Sequence, residues 1–182
     1  HLNRIIKIDP ENRYAIVEPG VVQAQLQQAA APYGLRFGPD PSTSSRCTIG
    51  GMIGNNACGP HATAYGRTAD NVLELRLIDG LGREIIAGQT PQNPPETSQD
   101  APAPDEQIQQ IPGLKSLVAA NLATIRREFG RFGRQVSGYS LEHLLPENGS
   151  ALAPFLSGTE GTLGVITQAT VRLVPLPKAP VL

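Results

Sequence analysis

Residues 38–66 read GPDPSTSSRCTIGGMIGNNACGPHATAYG, and no helical or strand period runs through them. From Leu35 to Gly66 the chain is dense in Gly, Pro, Ser, Asn and Thr. Ser42-Thr43-Ser44-Ser45 precedes Thr48-Ile49-Gly50-Gly51, and Gly54-Asn55-Asn56-Ala57-Cys58-Gly59 follows. Glycine lets main-chain N–H groups approach a ligand closely, and short hydroxyl or amide side chains add neutral hydrogen bonds. A short helix is expected to start at Gly50-Gly51 and to aim its N-terminal donors at an anionic or electron-rich group. Such a stretch suits a large, flat, polar ligand such as a nucleotide or flavin. Composition alone leaves equal room for a plain loop-rich connection, because Gly and Ser are what loops contain.

A second segment, Ser157-Gly158-Thr159-Glu160-Gly161-Thr162-Leu163-Gly164-Val165-Ile166, carries three glycines spaced by three that interrupt one apolar strand. Glycine in a strand marks a bulge, a tight packing turn or the close approach of a ligand.

Outward from these stretches the pattern is regular. Ile5 to Ile8 and Tyr14 to Val17 read as strands of a hairpin joined at Asp9-Pro10-Glu11-Asn12, a type I turn. Val22, Leu26, Ala29, Ala30 and Tyr33 share one helix face, which Pro32 and Gly34 close. Asn71 to Ile78 and Arg83 to Ala87 form a second hairpin about Asp79-Gly80-Leu81-Gly82, with Leu73, Leu75 and Leu77 on one face. Gly88 to Gln107 holds five prolines and four acidic residues with no aromatic or basic residue. It cannot bury enough apolar surface to offset ordering its backbone, so a mobile loop is expected there. Leu114, Leu117, Val118, Leu122, Ile125 and Phe129 predict one helix with Gly130 as its C-cap. Arg131 to Gly161 is again irregular. The last strand alternates Ala169, Val171 and Leu173 with Thr170, Arg172 and Val174 until Pro175. Hairpins and helices without strict βαβ alternation predict an α+β domain on a largely antiparallel or mixed sheet flanked by helices.

The 182 residues carry a net charge of −1, which argues against a nucleic-acid partner. No apolar run reaches the ~20 residues that span a bilayer, and two cysteines, Cys47 and Cys58, are too few for a disulfide framework. The composition suggests a cytoplasmic protein. No metal site is expected: His1, His61 and His143 have no i, i+4 partner, and two sulfurs cannot close a zinc or iron–sulfur site. There is no G-x-G-x-x-G after a strand, no phosphate-binding G-x-x-x-x-G-K-[ST] and no G-x-S-x-G. The chain opens on a strand without Met and ends in an apolar tail, so it is expected to be part of a longer protein.

The run Gly38-Pro39-Asp40-Pro41, then Cys47 to Gly59, then Tyr65-Gly66-Arg67-Thr68 resembles the FAD-linked oxidase family, the vanillyl-alcohol-oxidase superfamily with its PCMH-type FAD-binding domain. Gly158 to Thr167 is similar to the motif that closes that domain, in the right order and at the right separation. Val136-Ser137-Gly138-Tyr139-Ser140-Leu141 and Leu144 to Gly149 resemble the D-2-hydroxyacid dehydrogenases, of D-lactate, glycolate and D-2-hydroxyglutarate type, in the branch with a fused iron–sulfur region. The resemblance implies mostly the second subdomain of a PCMH-type domain, with FAD as cofactor. It further implies hydride transfer from C2 of a small-molecule 2-hydroxyacid to flavin N5, and an electron acceptor left undefined.

Carried over by position, the resemblance places Pro39, Asp40, Ser44 and Ser45 along the flavin and gives Ile49, Gly50 and Gly51 main-chain contacts. Asn56, Ala57, Cys58, Gly59, Tyr65 and Gly66 would continue around the isoalloxazine and ribityl region. Gly164, Val165 and Ile166 would meet the adenine side. The family's upstream pyrophosphate loop and its substrate cap, which supplies the catalytic groups, have no counterpart in these 182 residues, so no catalytic residue is assigned. Cys58 reads first as a small buried thiol, His61 as a loop hydrogen-bonding residue and Glu160 as a holder of the following turn. The arginines at 126, 127, 131 and 134 read as a solvated face near a helix C-terminus.

Overall fold

A computed structural model describes residues 2–91, 103–132 and 138–177. Six strands form one sheet: β1 (Ile5–Asp9), β2 (Tyr14–Val17), β3 (Leu35–Phe37), β4 (Val72–Ile78), β5 (Glu84–Gly88) and β6 (Val165–Pro175). The order is β1-β2-β6-β4-β5, β3 also pairs with β6, and every pairing is antiparallel. The fold is α+β, as the mixed hairpins and helices predict.

β6 can join β2, β3 and β4 because it is 11 residues long and its alternating Ala169, Val171 and Leu173 are all buried. The first hairpin turns where Asp9 Oδ1 accepts the Asn12 N–H at 2.9 Å. The second turns where Asp79 Oδ1 accepts from the Leu81 and Arg83 amides and Gly82 takes φ +78°. A register shift between Val72 and Glu74 leaves Leu73 only half-buried while Leu75 and Leu77 enter the core.

Seven helices are described: α1 (Gln23–Ala30), α2 (Ile49–Asn55), α3 (Ala62–Tyr65), α4 (Pro104–Gln107), α5 (Leu114–Ala120), α6 (Leu122–Glu128) and α7 (Leu152–Leu156). Leu26, Phe37, Ile49, Met52, Ile53, Phe155 and Leu173 are among the largest fully buried side chains of one continuous core. The predicted first helix ends earlier than its pattern: Val22 is the N-cap, residues 31–33 tighten to a 3-10 turn, and Tyr33 is 55% exposed. The single helix predicted over 114–129 is two, broken at Asn121, whose side-chain amide donates to the Leu117 carbonyl at 2.8 Å. Asn competes with the helix for its own main-chain partners in this way.

Of the Pro-rich stretch, Gly88 closes β5, Pro104–Gln107 forms α4, and residues 92–102 lie outside the described residues. Gln107 and Gln110 each place a side-chain amide on the open edge of β5. Gln107 accepts from Gly88 N–H and donates to its carbonyl, and Gln110 does the same at Ile86. Two side chains thus satisfy an edge strand that would otherwise offer itself for pairing.

Candidate functional site

Where β2 leaves the sheet, a hollow opens. β2 pairs with β6 only from Ala169 to Arg172, whereas β4 continues along β6 as far as Val165. Between Val165 and Gln168, β6 therefore has a strand neighbour on one edge only among the described residues. A trough of about 350 Å³ lies there. Gly50, Gly54 and Pro19 line it from the first glycine-rich stretch and its approach, and Thr159, Gly161, Gly164, Val165 and Ile166 line it from the second. Leu2, Leu75, Leu77 and Leu156 complete an apolar lining.

The two glycine-rich stretches meet through the C-terminal end of α2. The last carbonyls of a helix have no partner within it, and here Gly158 N–H donates to Ile53 O at 2.8 Å and Glu160 N–H to Gly54 O at 3.0 Å. Asn55 Nδ2 adds a bond to Glu160 Oε1 at 2.9 Å. Glu160 thus holds the turn, as its position in the sequence suggested. Asn56 ends α2 in the left-handed region at φ +50°, is buried, and accepts the Ala69 N–H on Oδ1.

The N-terminal end of α2 departs from expectation. Its donors do not point at open space: Ile49 N–H goes to Val21 O, Gly50 N–H to Pro19 O, Gly51 N–H to the Thr48 side chain and Met52 N–H to Thr48 O. With every first-turn donor bound inside the chain, this end of α2 offers no anion site. Gly50 is required for a different reason: a Cβ there would stand 2.5 Å from the Pro19 Cβ.

The structure divides the residues singled out from the sequence. Gly50, Gly164, Val165 and Ile166 converge on the trough, and Val165 is 68% exposed there. Asp40 and Ser44 instead border a second hollow of about 580 Å³ with Gln23 and Arg36. Asp40 is bound by Arg36 and by His61, whose Nδ1–H donates to its carboxylate. His61 therefore has the partner that the sequence could not identify. Pro39 is buried and its carbonyl accepts from Gln23 Nε2; Ser45 is exposed. Ile49 is wholly core and Gly51 lies against the Thr48 cap.

The rest of the stretch is knitted to itself. Ala57 O accepts both the amide and the hydroxyl of buried Thr68. Gly59 lies so close to Asp40 that a Cβ would stand 2.4 Å from its carbonyl oxygen, and a Cβ on Gly38 would stand 2.9 Å from the Tyr65 Cβ. Tyr65 O accepts from Asn71, and Gly66, at φ +73°, packs on Asp70. Cys47 and Cys58 are half-buried and not joined in a disulfide. Among the described residues no group of three or more His, Cys, Asp or Glu could hold a metal ion, and no helix is long and apolar enough to cross a membrane.

Pro19, Leu75, Leu77, Leu156 and Thr159 line the trough without having been singled out. The leucines carry only a core signal in the sequence, and Pro19 reads there as a strand terminator. The trough nonetheless fits part of a flavin nucleotide. Its walls are apolar and glycine-lined, as a flat ring requires, and no closer neighbour than 4.0 Å would meet a Cβ on Gly54. The one-sided strand edge at Val165–Gln168 offers main-chain donors and acceptors to the polar edge of a heterocycle.

Comparison with known proteins agrees. Residues 1–88 match the model of the FAD binding domain family. The chain is 36% identical to the D-2-hydroxyglutarate dehydrogenase of Pantoea ananatis, over 98% of this chain but 17% of that protein. It is equally 36% identical to the Pseudomonas putida enzyme of the same name, over 100% of this chain and 18% of the relative. Against glycolate oxidase subunit GlcD of Bacillus subtilis it is 30% identical, covering 98% of this chain and 27% of the relative. The chain thus spans about a fifth of the length of its dehydrogenase relatives. A solved alkyldihydroxyacetonephosphate synthase superposes with a TM-score of 0.58 at 17% identity, over 98% of this chain and 22% of that one, which establishes the shared fold. The match assigns residues 1–88 to the FAD binding domain family, and FAD is the cofactor of that domain.

Proposed function

We propose that this chain forms one wall of the FAD site in an enzyme that oxidises a D-2-hydroxyacid of the lactate, glycolate or 2-hydroxyglutarate type. The observation that carries this reading is the trough where both glycine-rich stretches meet on a one-sided strand edge. The printed activities of the dehydrogenase and glycolate oxidase relatives give it its substrate class. When bound, the flavin supplies the hydride acceptor at N5. Gly164, Val165 and Ile166 would hold the adenine side through main-chain groups. Pro39, Asp40, Ser44, Ser45, Asn56 to Gly59, Tyr65 and Gly66 would form the supporting surface toward the isoalloxazine.

The internal bonds of the second group mean that their part is to fix the loop's shape rather than to offer many free side chains. Because the chain spans 17% of a relative such as the Pantoea protein, the substrate-binding and proton-accepting groups are assigned to other parts of the protein. So is the electron acceptor, with a fused iron–sulfur region as the chemistry suited to passing electrons one at a time. A cytoplasmic location accords with the composition.

The intact protein is expected to purify yellow and to bleach when a D-2-hydroxyacid is added anaerobically. A protein that stays colourless after refolding with FAD overturns the reading. A yellow protein that no 2-hydroxyacid reduces overturns the substrate class alone.

A further inference from the structure

Tyr139 lies outside the segment matched by the FAD binding domain model, yet it reaches the turn that walls the trough. Its hydroxyl is 2.6 Å from Thr162 Oγ1, and Thr162 Oγ1 donates to the Thr159 carbonyl at 2.5 Å. With the threonine hydrogen committed to that carbonyl, the tyrosine must be the donor in the first bond. Hydrogen bonds in such a chain polarise one another and strengthen together. The Tyr139 ring is fixed in turn by an edge-on contact with buried Phe155 at 6.2 Å between centroids.

The turn has need of such a tether. Gly158, Glu160 and Gly161 all take positive φ, at +90°, +52° and +73°; the glycines adopt it freely, but at Glu160 it costs energy and persists only where the surroundings impose it. On one side α2 imposes it through Ile53, Gly54 and Asn55. On the other side the tether is Tyr139. Thr159, Gly161 and Gly164, all trough-lining, lie within or next to the span so held.

We propose that Tyr139 is a positioning residue of the FAD site, setting through Thr162 the shape of the wall formed by Thr159 to Gly164. The inference rests on the reading of the trough as part of that site. It is tested on the intact protein by removing the hydroxyl alone, as Tyr139→Phe, which keeps the ring on Phe155. FAD affinity, measured by fluorescence titration of the apoprotein, is expected to fall about fivefold, the effect of one lost hydrogen bond. The visible circular dichroism of the bound flavin is expected to change, a signature that a general loss of stability would not produce.

Thr162→Val removes that bond together with the one from Thr162 to the Thr159 carbonyl and should weaken FAD binding at least as much as Tyr139→Phe, whereas Thr162→Ser keeps the hydroxyl and should bind FAD as the wild type does. If the wild type binds FAD and both Tyr139→Phe and Thr162→Val bind it with unchanged affinity and dichroism, the positioning role is overturned while the trough reading stands. If the wild type takes up no FAD, the trough reading falls and this inference with it. Should Tyr139→Phe not fold, Thr162→Val alone decides between these outcomes.

Discussion

Both ends of the trough are rich in glycine, but the glycines of residues 38–66 and those of residues 157–164 are there for different reasons. In the first stretch the space a Cβ would need is already taken at Gly38, Gly50 and Gly59, although Gly54 is open and Gly66 takes φ +73°. Gly38 lies on the Tyr65 Cβ, Gly50 on Pro19 and Gly59 on Asp40, none of them with positive φ. In the second, Gly158 and Gly161 supply left-handed backbone, and nothing lies within 4 Å of where a Cβ on Gly161 would be. Gly164 belongs with the first kind, since its Cβ would meet a Leu77 methyl at 2.4 Å. A glycine-rich sequence is therefore evidence of two constraints, one of volume and one of torsion, and neither is by itself a ligand contact.

Substitution separates the two. Gly59→Ala should be the most damaging change, because its Cβ meets Asp40 main chain, which cannot swing aside as the tip of a side chain can. A loss of about 3 kcal/mol is expected, at the upper end for overpacking, read by chemical denaturation of the intact protein. An unchanged midpoint would mean that the loop gives way and that the volume constraint is not real.

Asn56→Ala should rank second. It leaves the buried Ala69 N–H without its acceptor and keeps a left-handed residue without a side chain suited to it. Together these effects cost about 2 kcal/mol. Gly161→Ala should cost about 1 kcal/mol, the torsional penalty alone, because the space is open. If Gly161→Ala proved as harmful as Gly59→Ala, the distinction between volume and torsion would fail.

How much of this could be read from the sequence follows the same division. Alternating and helical patterns placed both hairpins, the first helix and the buried face of β6, because burial imposes a period that residues display locally. β3 was missed: three residues between Gly34 and Gly38 become a strand only by pairing with Leu173–Pro175, more than a hundred residues away. The break at Asn121 was missed because the apolar period runs through it while the competing bond comes from a polar side chain. The two stretches that make the trough were legible as motifs. What the motifs could not show was where each donor goes, so the first turn of α2 looked like a ligand site until its N–H groups were found bound to Pro19, Val21 and Thr48. Likewise the Asp40–His61 pair joins residues 21 apart along an irregular loop, a contact no period could signal.

The smallest expected effect concerns an ion pair, Arg67–Asp70, at the border of the first stretch. Gly66 packs on Asp70, whose carboxylate accepts from the Arg67 amide and guanidinium. Burial pushes the Asp70 pKa up, but the Arg67 hydrogen bonds outweigh it and hold the pKa below the usual 3.8. A carboxyl whose folded pKa is depressed stabilises the fold above its unfolded value and loses that contribution as pH falls through the folded one. The second turn is fastened by main-chain amides, by the hydroxyls of Tyr139, Thr159 and Thr162, and by the Asn55–Glu160 side-chain bond, none of them an ion pair. On acidification through the range just below pH 4, the protection of Arg67 and its neighbours from amide exchange, taken relative to the intrinsic rate at each pH, should therefore fall before that of Gly158. Asp70→Asn should remove this acid-induced difference while leaving exchange near Gly158 unchanged. Equal acid sensitivity at both places would show that one cooperative unit, rather than two separately fastened walls, encloses the trough.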